Sequence, residues 1–151
     1  MDSTILEYLA DRQCSPQWKG FLAALADEFA AQLPENDLRA LMRRIGTRFA
    51  DREPLPECKT LDDVQLAMSR IWMNMDWGWV AVDEPGGYLR IRHNCAPLRS
   101  AFGQNAGKWV VAFLEGVYQR WFQSLGSGND LGLAQVSELD EVGCVEFRLS
   151  R

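Results

Sequence analysis

GKWVVAFLEGVYQRWFQSLGSG, residues 107–128, constrains the fold more than any other stretch of this chain. Helical periodicity brings Val110, Phe113, Leu114, Val117, Tyr118, Trp121, Phe122 and Leu125 over about half of one circumference, wider than the single apolar stripe of a surface helix. Such a helix packs against two things at once, and its girth, with the spare Leu66/Met73 strip and the aromatic-arginine sheet face described below, points to assembly. Gly126 and Gly128 form its glycine-rich stop.

Three helical patterns lie upstream. Trp18, Phe21, Leu22, Leu25, Phe29 and Leu33 recur every three or four residues between Pro16 and Pro34, with Ala, Asp and Lys on the opposite side. Leu38, Leu41, Met42, Ile45 and Phe49 repeat the pattern up to Pro54-Leu55-Pro56, and Gly46 inside it, unfavourable by about 1 kcal/mol relative to Ala, predicts close packing. Thr60 and Asp63 have the spacing of a capping box, with Asp in place of Glu or Gln. The helix they open carries a core stripe of Leu61, Val64, Met68, Ile71, Trp72 and Met75. Leu66 and Met73, seven apart, fall on its other side with no intramolecular partner in view.

The pattern changes at Trp77. WGWVAVDE and YLRIRH flank Pro85-Gly86-Gly87 and read as a hairpin that pairs Val82 with Ile91, Val80 with His93 and Asp83 with Arg90. This register puts Gly78, Val80, Val82, Leu89, Ile91 and His93 on one face and Trp77, Trp79, Tyr88, Arg90 and Arg92 on the other. LAQVSE and GCVEFRLS, in which Val145, Phe147 and Leu149 alternate with polar residues, read as a second hairpin. Three N-terminal helices, a β-hairpin, a long helix and a C-terminal β-hairpin predict a single α+β domain over residues 1–151, its small antiparallel sheet packed against helices.

Several chemistries fall away. A net charge of −5 argues against a nucleic-acid partner, which would demand clustered Lys and Arg. No apolar run is long enough to span a bilayer. MDSTILEYLADR carries Asp2 and Glu7 where an export signal would be basic, so the expected compartment is the cytoplasm. Cys14, Cys58, Cys95 and Cys144 form no C-x-x-C pair, and free buried thiols are favoured over disulfides. His93 has no cysteine or carboxylate at metal-ligand spacing and reads as a hydrogen-bonded core residue. No nucleophile-elbow sequence occurs. GQNAGK at 103–108 lacks the first glycine and the hydroxyl residue of a phosphate loop and reads as a helix start. No catalytic residue, metal or cofactor is expected.

Carboxylates near aromatics could cleave glycans in pairs, but Asp83 lies opposite Arg90, Asp76 ends a helix, and Glu115 is placed on the polar arc of its own helix; Glu84 is not set apart either. Arg39, Arg43, Arg44, Arg48 and Arg52 read as a solvated face, or as a docking face for acidic groups of a neighbouring subunit or partner.

LMRRIGTRFA (41–50), MNMDWGWVAVDE (73–84), LRIRH (89–93) and above all KWVVAFLEGVYQRW (108–121) resemble the family of D-type subunits of bacterial cellulose synthase, with similar spacing and chain length across roughly residues 38–125. The resemblance marks Trp77, Gly78, Leu114, Glu115, Gly116, Tyr118, Arg120 and Trp121 as structural or interface positions. It implies a non-catalytic accessory subunit that forms dimers and then a ring-like octamer, and that helps to organise synthase complexes and the export or crystallisation of glucan. It implies as partners the inner-membrane cellulose synthase complex, an accessory scaffold protein and glucan chains, with the periplasm as the alternative compartment. Glucan contact in the family is attributed to the N-terminal segment, which by position alone points to Asp2, Ser3 and Thr4. Leu66, Met73, Trp79, Tyr88, Arg90 and Arg92 are the candidate interface residues from the residue patterns themselves. A cello-oligosaccharide-binding module is the alternative function, and a glycan-cleaving enzyme the third.

Overall fold

The computed structural model describes residues 2–127 and 130–151. Four helices precede the sheet: α1 (Ser3–Asp11), α2 (Pro16–Gln32), α3 (Glu35–Arg52) and α4 (Leu61–Asn74). Strands β1 (Trp79–Asp83) and β2 (Leu89–Asn94) follow, then α5 (Leu98–Phe102), a 3-10 turn, α6 (Gly107–Val110) and α7 (Ala112–Phe122). Strands β3 (Gly132–Gln135) and β4 (Val145–Ser150) close the chain. The α+β class and the antiparallel sheet are as expected. Helix α1 is an addition, and the loop expected after β2 holds the short α5.

The expected two-sided burial holds for α7, of which nine residues from Ala112 to Phe122 are buried. Helix α3 lies against one side. Gly46 and Gly116 are the reason it can come so close: a Cβ on Gly46 would stand 2.1 Å from the Phe113 carbonyl oxygen, and one on Gly116 would stand 2.1 Å from that of Arg43. The long helix expected over 107–128 is divided at Val111, whose carbonyl accepts from the Leu114 N–H at 3.0 Å in an i→i+3 bond. After Phe122 it widens into a π-type turn, and Gly126 leaves the helix at φ 99°. Gly128 lies outside the described residues.

The sheet has the order β1-β2-β4-β3 and covers the other side of α7. Its β1–β2 register is the expected one, with Val82 opposite Ile91, Val80 opposite His93 and Asp83 opposite Arg90. The ladder stops there, however, and residues 84–88 form an open loop instead of a two-residue turn. Both sheet edges are closed by side chains. On β1 the Val80 N–H donates to Ser69 Oγ (3.1 Å), Ser69 Oγ donates to the Val80 carbonyl (3.0 Å), and the Val82 N–H donates to Gln65 Oε1 (2.8 Å). These α4 side chains occupy the backbone groups a foreign strand would need. The capping box that opens α4 is present in full.

Trp77 departs from its expected place beside Trp79. Asp76 (φ 58°) and Gly78 (φ 78°) take left-handed conformations on either side of it, so the strand begins only at Trp79 and the Trp77 ring turns inward. There it stacks on Trp72 at 5.6 Å. Trp72 is fully buried and also meets Phe49 (5.4 Å), Trp121 (5.3 Å) and His93 (4.9 Å). His93 is the buried, hydrogen-bonded residue the alternation implied. Its Nε2 lies 2.7 Å from the Trp77 carbonyl, which can only accept, so Nε2 carries the proton and Nδ1 accepts from the Tyr118 hydroxyl at 2.5 Å.

Gly46→Ala should cost about 3 kcal/mol or more in urea unfolding, because the clash is with backbone. Gly20→Ala, on an α2 position with nothing within 4 Å, should instead stabilise the chain by up to about 1 kcal/mol. Burial pushes His93 down from 6.5 to about 4, so its neutral form is favoured in the fold. That contribution is complete above pH 6.5 and is lost progressively as pH falls from 6.5 to about 4, on the order of 3 kcal/mol in all. Unfolding titrations between pH 4 and 7 should show this slope, and His93→Gln should lack it.

Candidate functional site

The residues of the 114–121 motif converge on structure. Leu114 and Tyr118 are fully buried, and Gly116 admits α3. Glu115 sits under α3 and not on a polar arc: it is 8% exposed and held by the Arg39 guanidinium, with Arg43 Nε 3.5 Å from its other oxygen. Burial outweighs these cations and raises its pKa. Arg39 also donates to the Lys108 carbonyl and to Gln135 Oε1 (3.1 Å), and so ties α3, α6, α7 and β3 together. The expected solvated arginine face is thus reduced to Arg44, Arg48 and Arg52, because Arg39 and Arg43 turn toward Glu115.

The remaining motif residues fasten the ends. Arg120 Nε donates to Asp51 Oδ1 at 2.7 Å, and Trp121 Nε1 donates to the Glu53 carbonyl at 2.9 Å, satisfying the C-terminus of α3. Gln119, which no sequence pattern singles out, closes the β3 edge. Its Nε2 donates to the Leu131 carbonyl (3.2 Å) and its Oε1 accepts from the Leu133 N–H (2.9 Å). Trp77 and Gly78 are equally structural, since a Cβ on Gly78 would strike the Asn94 carbonyl at 1.7 Å.

The candidate interface residues divide. Leu66 (57% exposed) and Met73 (61%) do face outward from α4, as their spacing implied, and Trp79 is exposed on the neighbouring β1. Tyr88, Arg90 and Arg92 have partners in their own chain, Arg148 lying 3.8 Å above the Tyr88 ring, Arg90 pairing with Asp83 and Arg92 with Glu146 at 3.0 Å, while the Arg92 side chain stays 57% exposed. The Arg90 guanidinium holds the Asp83 carboxyl below its ordinary range.

A larger apolar surface lies where a core face was expected. On α2 only Ala26 is buried; Trp18 (54% exposed) and Phe21 (58%) meet edge to face at 6.2 Å in solvent. Ile5, Tyr8 and Leu9 on α1 are exposed as well. Beneath α2 runs an apolar groove of about 560 Å³, walled by Trp18 and Phe29, floored by Met42 and Phe113, and closed by Leu98 and Phe102 of α5. Helix α1 is tethered by Lys19 to the Asp11 carboxylate (2.5 Å) and by Ser100 Oγ to the Asp11 carbonyl (2.8 Å). Its signal was available: Asp2 caps it by accepting from the Thr4 N–H at 2.9 Å, and Ile5 and Leu9 are four apart. Asp2, Ser3 and Thr4 are therefore the solvent-exposed first turn of α1.

Among the described residues no group of three or more His, Cys, Asp or Glu side chains could hold a metal, and no helix is long and apolar enough to cross a membrane. Both His93 nitrogens are already engaged in the core. The four cysteines are free and half-buried, less enclosed than expected.

The family profile for the D-type subunit of cellulose synthase matches residues 4–149, well beyond the 38–125 span of the quoted segments. A cellulose synthase operon protein D of Komagataeibacter xylinus is 32% identical over 111 residues, 72% of this chain and 71% of that protein. A second protein of that name from the same species is 30% identical over 133 residues, covering 86% and 85%. One from Komagataeibacter sucrofermentans matches at 32% over 111 residues, again 72% and 71%. The chain belongs to the family of D-type subunits of cellulose synthase.

Proposed function

We propose that the protein is a non-catalytic accessory subunit of bacterial cellulose synthesis, a self-assembling scaffold that spaces synthase complexes so that their glucan chains emerge in order. The observation that carries this reading is the pair Trp18 and Phe21, more than half exposed on a helix whose apolar face its own chain leaves largely uncovered. Large contiguous apolar surface of this kind favours association. The Leu66/Met73 strip with Trp79 is a second, separate patch. One self-complementary patch gives only a dimer, whereas a closed ring of dimers requires at least two distinct interfaces. The ring-like octamer itself rests on the family resemblance.

Charge supports the same reading. Arg44 and Arg48 flank the exposed Ile45 on α3 and have no ion-pair partner among the described residues, while α2 carries Asp27 and Glu28 in an acidic chain. Copies can therefore meet with opposite charges facing, and assembly should weaken with salt. The working location is the cytoplasmic side of the inner-membrane synthase, in company with an accessory scaffold protein, with the periplasm as the alternative. The polar first turn of α1, Asp2 to Thr4, is where a glucan chain would be met.

Size-exclusion chromatography with light scattering tests the scaffold. The wild-type chain should run as a multi-subunit particle. Trp18→Glu with Phe21→Glu should lower the mass to about half or less with helicity unchanged, and Leu66→Glu with Met73→Glu should do so independently. A wild-type monomer at micromolar concentration would overturn the reading.

A further inference from the structure

The sequence separates Cys95 from Cys144 by most of the C-terminal half, but the sheet brings them together. The last β2–β4 pair is His93 opposite Val145. Beyond it the Ala96 N–H donates to the Gly143 carbonyl at 2.9 Å. The chain thus advances three residues on one side for two on the other, which is a β-bulge, and Cys95 at φ 62° is its left-handed residue. A bulge re-aims the side chain it carries, and here Asn94 and Cys95 lie opposite the single residue Cys144 on the facing strand.

The approach is enforced from the other strand as well. Gly143 (φ 88°) passes so near that a Cβ there would lie 2.1 Å from the Ala96 carbonyl oxygen. Asp140 Oδ1 accepts from the Val142 N–H (3.0 Å) and the Cys144 N–H (2.8 Å), and Arg99 donates to the Asp140 carbonyl at 2.9 Å. The loop before β4 is pinned, which holds the Cys144 backbone beside the bulge. Cys14 and Cys58 differ: their thiols donate locally to the Ser15 carbonyl (3.7 Å) and the Pro56 carbonyl (3.4 Å).

We propose that Cys95 and Cys144 are a disulfide-forming pair that staples β2 to β4, the junction of the two hairpins, when a low-molecular-weight disulfide such as oxidised glutathione is present. One protein thiolate attacks oxidised glutathione, forming a mixed disulfide and releasing one reduced glutathione. The second thiol loses its proton and displaces the other glutathione. The protein gives up two thiol hydrogens and two electrons, and two reduced glutathiones leave. Burial and the Cys144 neighbour push the Cys95 thiol up, so the reaction should quicken as pH rises. The bond would enclose residues 95–144, a loop containing α5, α6, α7 and β3, and a loop of that length constrains the unfolded chain strongly.

The full chain is incubated with oxidised glutathione at pH 8.5, its remaining thiols are alkylated, and intact mass, peptide mapping and melting temperature are read. Two thiols should be lost, a peptide linked through Cys95 and Cys144 should appear, and the melting temperature should rise by roughly 5–10 °C and fall back on reduction. Cys95→Ser and Cys144→Ser should each abolish the rise, and Cys14→Ser and Cys58→Ser should leave it intact. Four alkylatable thiols after oxidation, a link through Cys14 or Cys58, or a bond formed without any thermal shift would overturn the proposal.

Discussion

Two glycines on different helices set the rest of this structure. Gly46 of α3 and Gly116 of α7 let the backbones touch, each occupying a place where a methyl group would meet the other helix's carbonyl. That contact places Phe49 against Trp72 and Phe113, and it brings Arg39 and Arg43 over Glu115. A buried carboxylate is costly unless charge-paired and hydrogen-bonded, and here the same close crossing that buries it supplies the cations. The sheet then has only one place to lie, on the face of α7 that α3 leaves free.

Closing the sheet edges has consequences for what the surface can do. Ser69 and Gln65 satisfy β1, and Gln119 satisfies β3, so strand addition is blocked at both ends. The surfaces left for the proposed association are side-chain faces. The chain leaves two such faces apolar, and the larger lies on α1 and α2, the helices with the fewest buried residues. A well-buried α3–α7–sheet body carrying an apolar α1–α2 layer with few buried residues fits the self-assembling scaffold proposed above.

Much of the body is legible in the sequence because strict spacings write it. Alternation in VAV and LRIRH fixes the β1–β2 register, since a slip of one residue would bury Arg90 and Arg92. Thr60 and Asp63 announce α4, and Gly46 announces a close contact. Periodicity tells which side of a helix is apolar, though not what covers it, so the spacing of Trp18 and Phe21 suggests a core face that the fold leaves open. Alternation carried through Gly78 misplaces Trp77, because the left-handed Asp76 and Gly78 break it. Arg39 and Arg43 look solvated in the sequence because their partner, Glu115, comes from a helix distant along the chain. Cys95 comes opposite Cys144 only through a bulge, which no pattern of residue types records.

If α1 and α2 form a surface completed by another copy, while α7 is complete within one chain, the two regions must respond differently to loss of assembly. Hydrogen–deuterium exchange reads this directly, comparing the wild-type assembly with a chain whose Trp18 and Phe21 have been replaced by glutamate. Amides over residues 3–32 should be slower to exchange in the wild type, with α7 equally protected in both. Equal exchange over residues 3–32, or added protection confined to β1 and β2, would contradict a subunit completed through its first two helices.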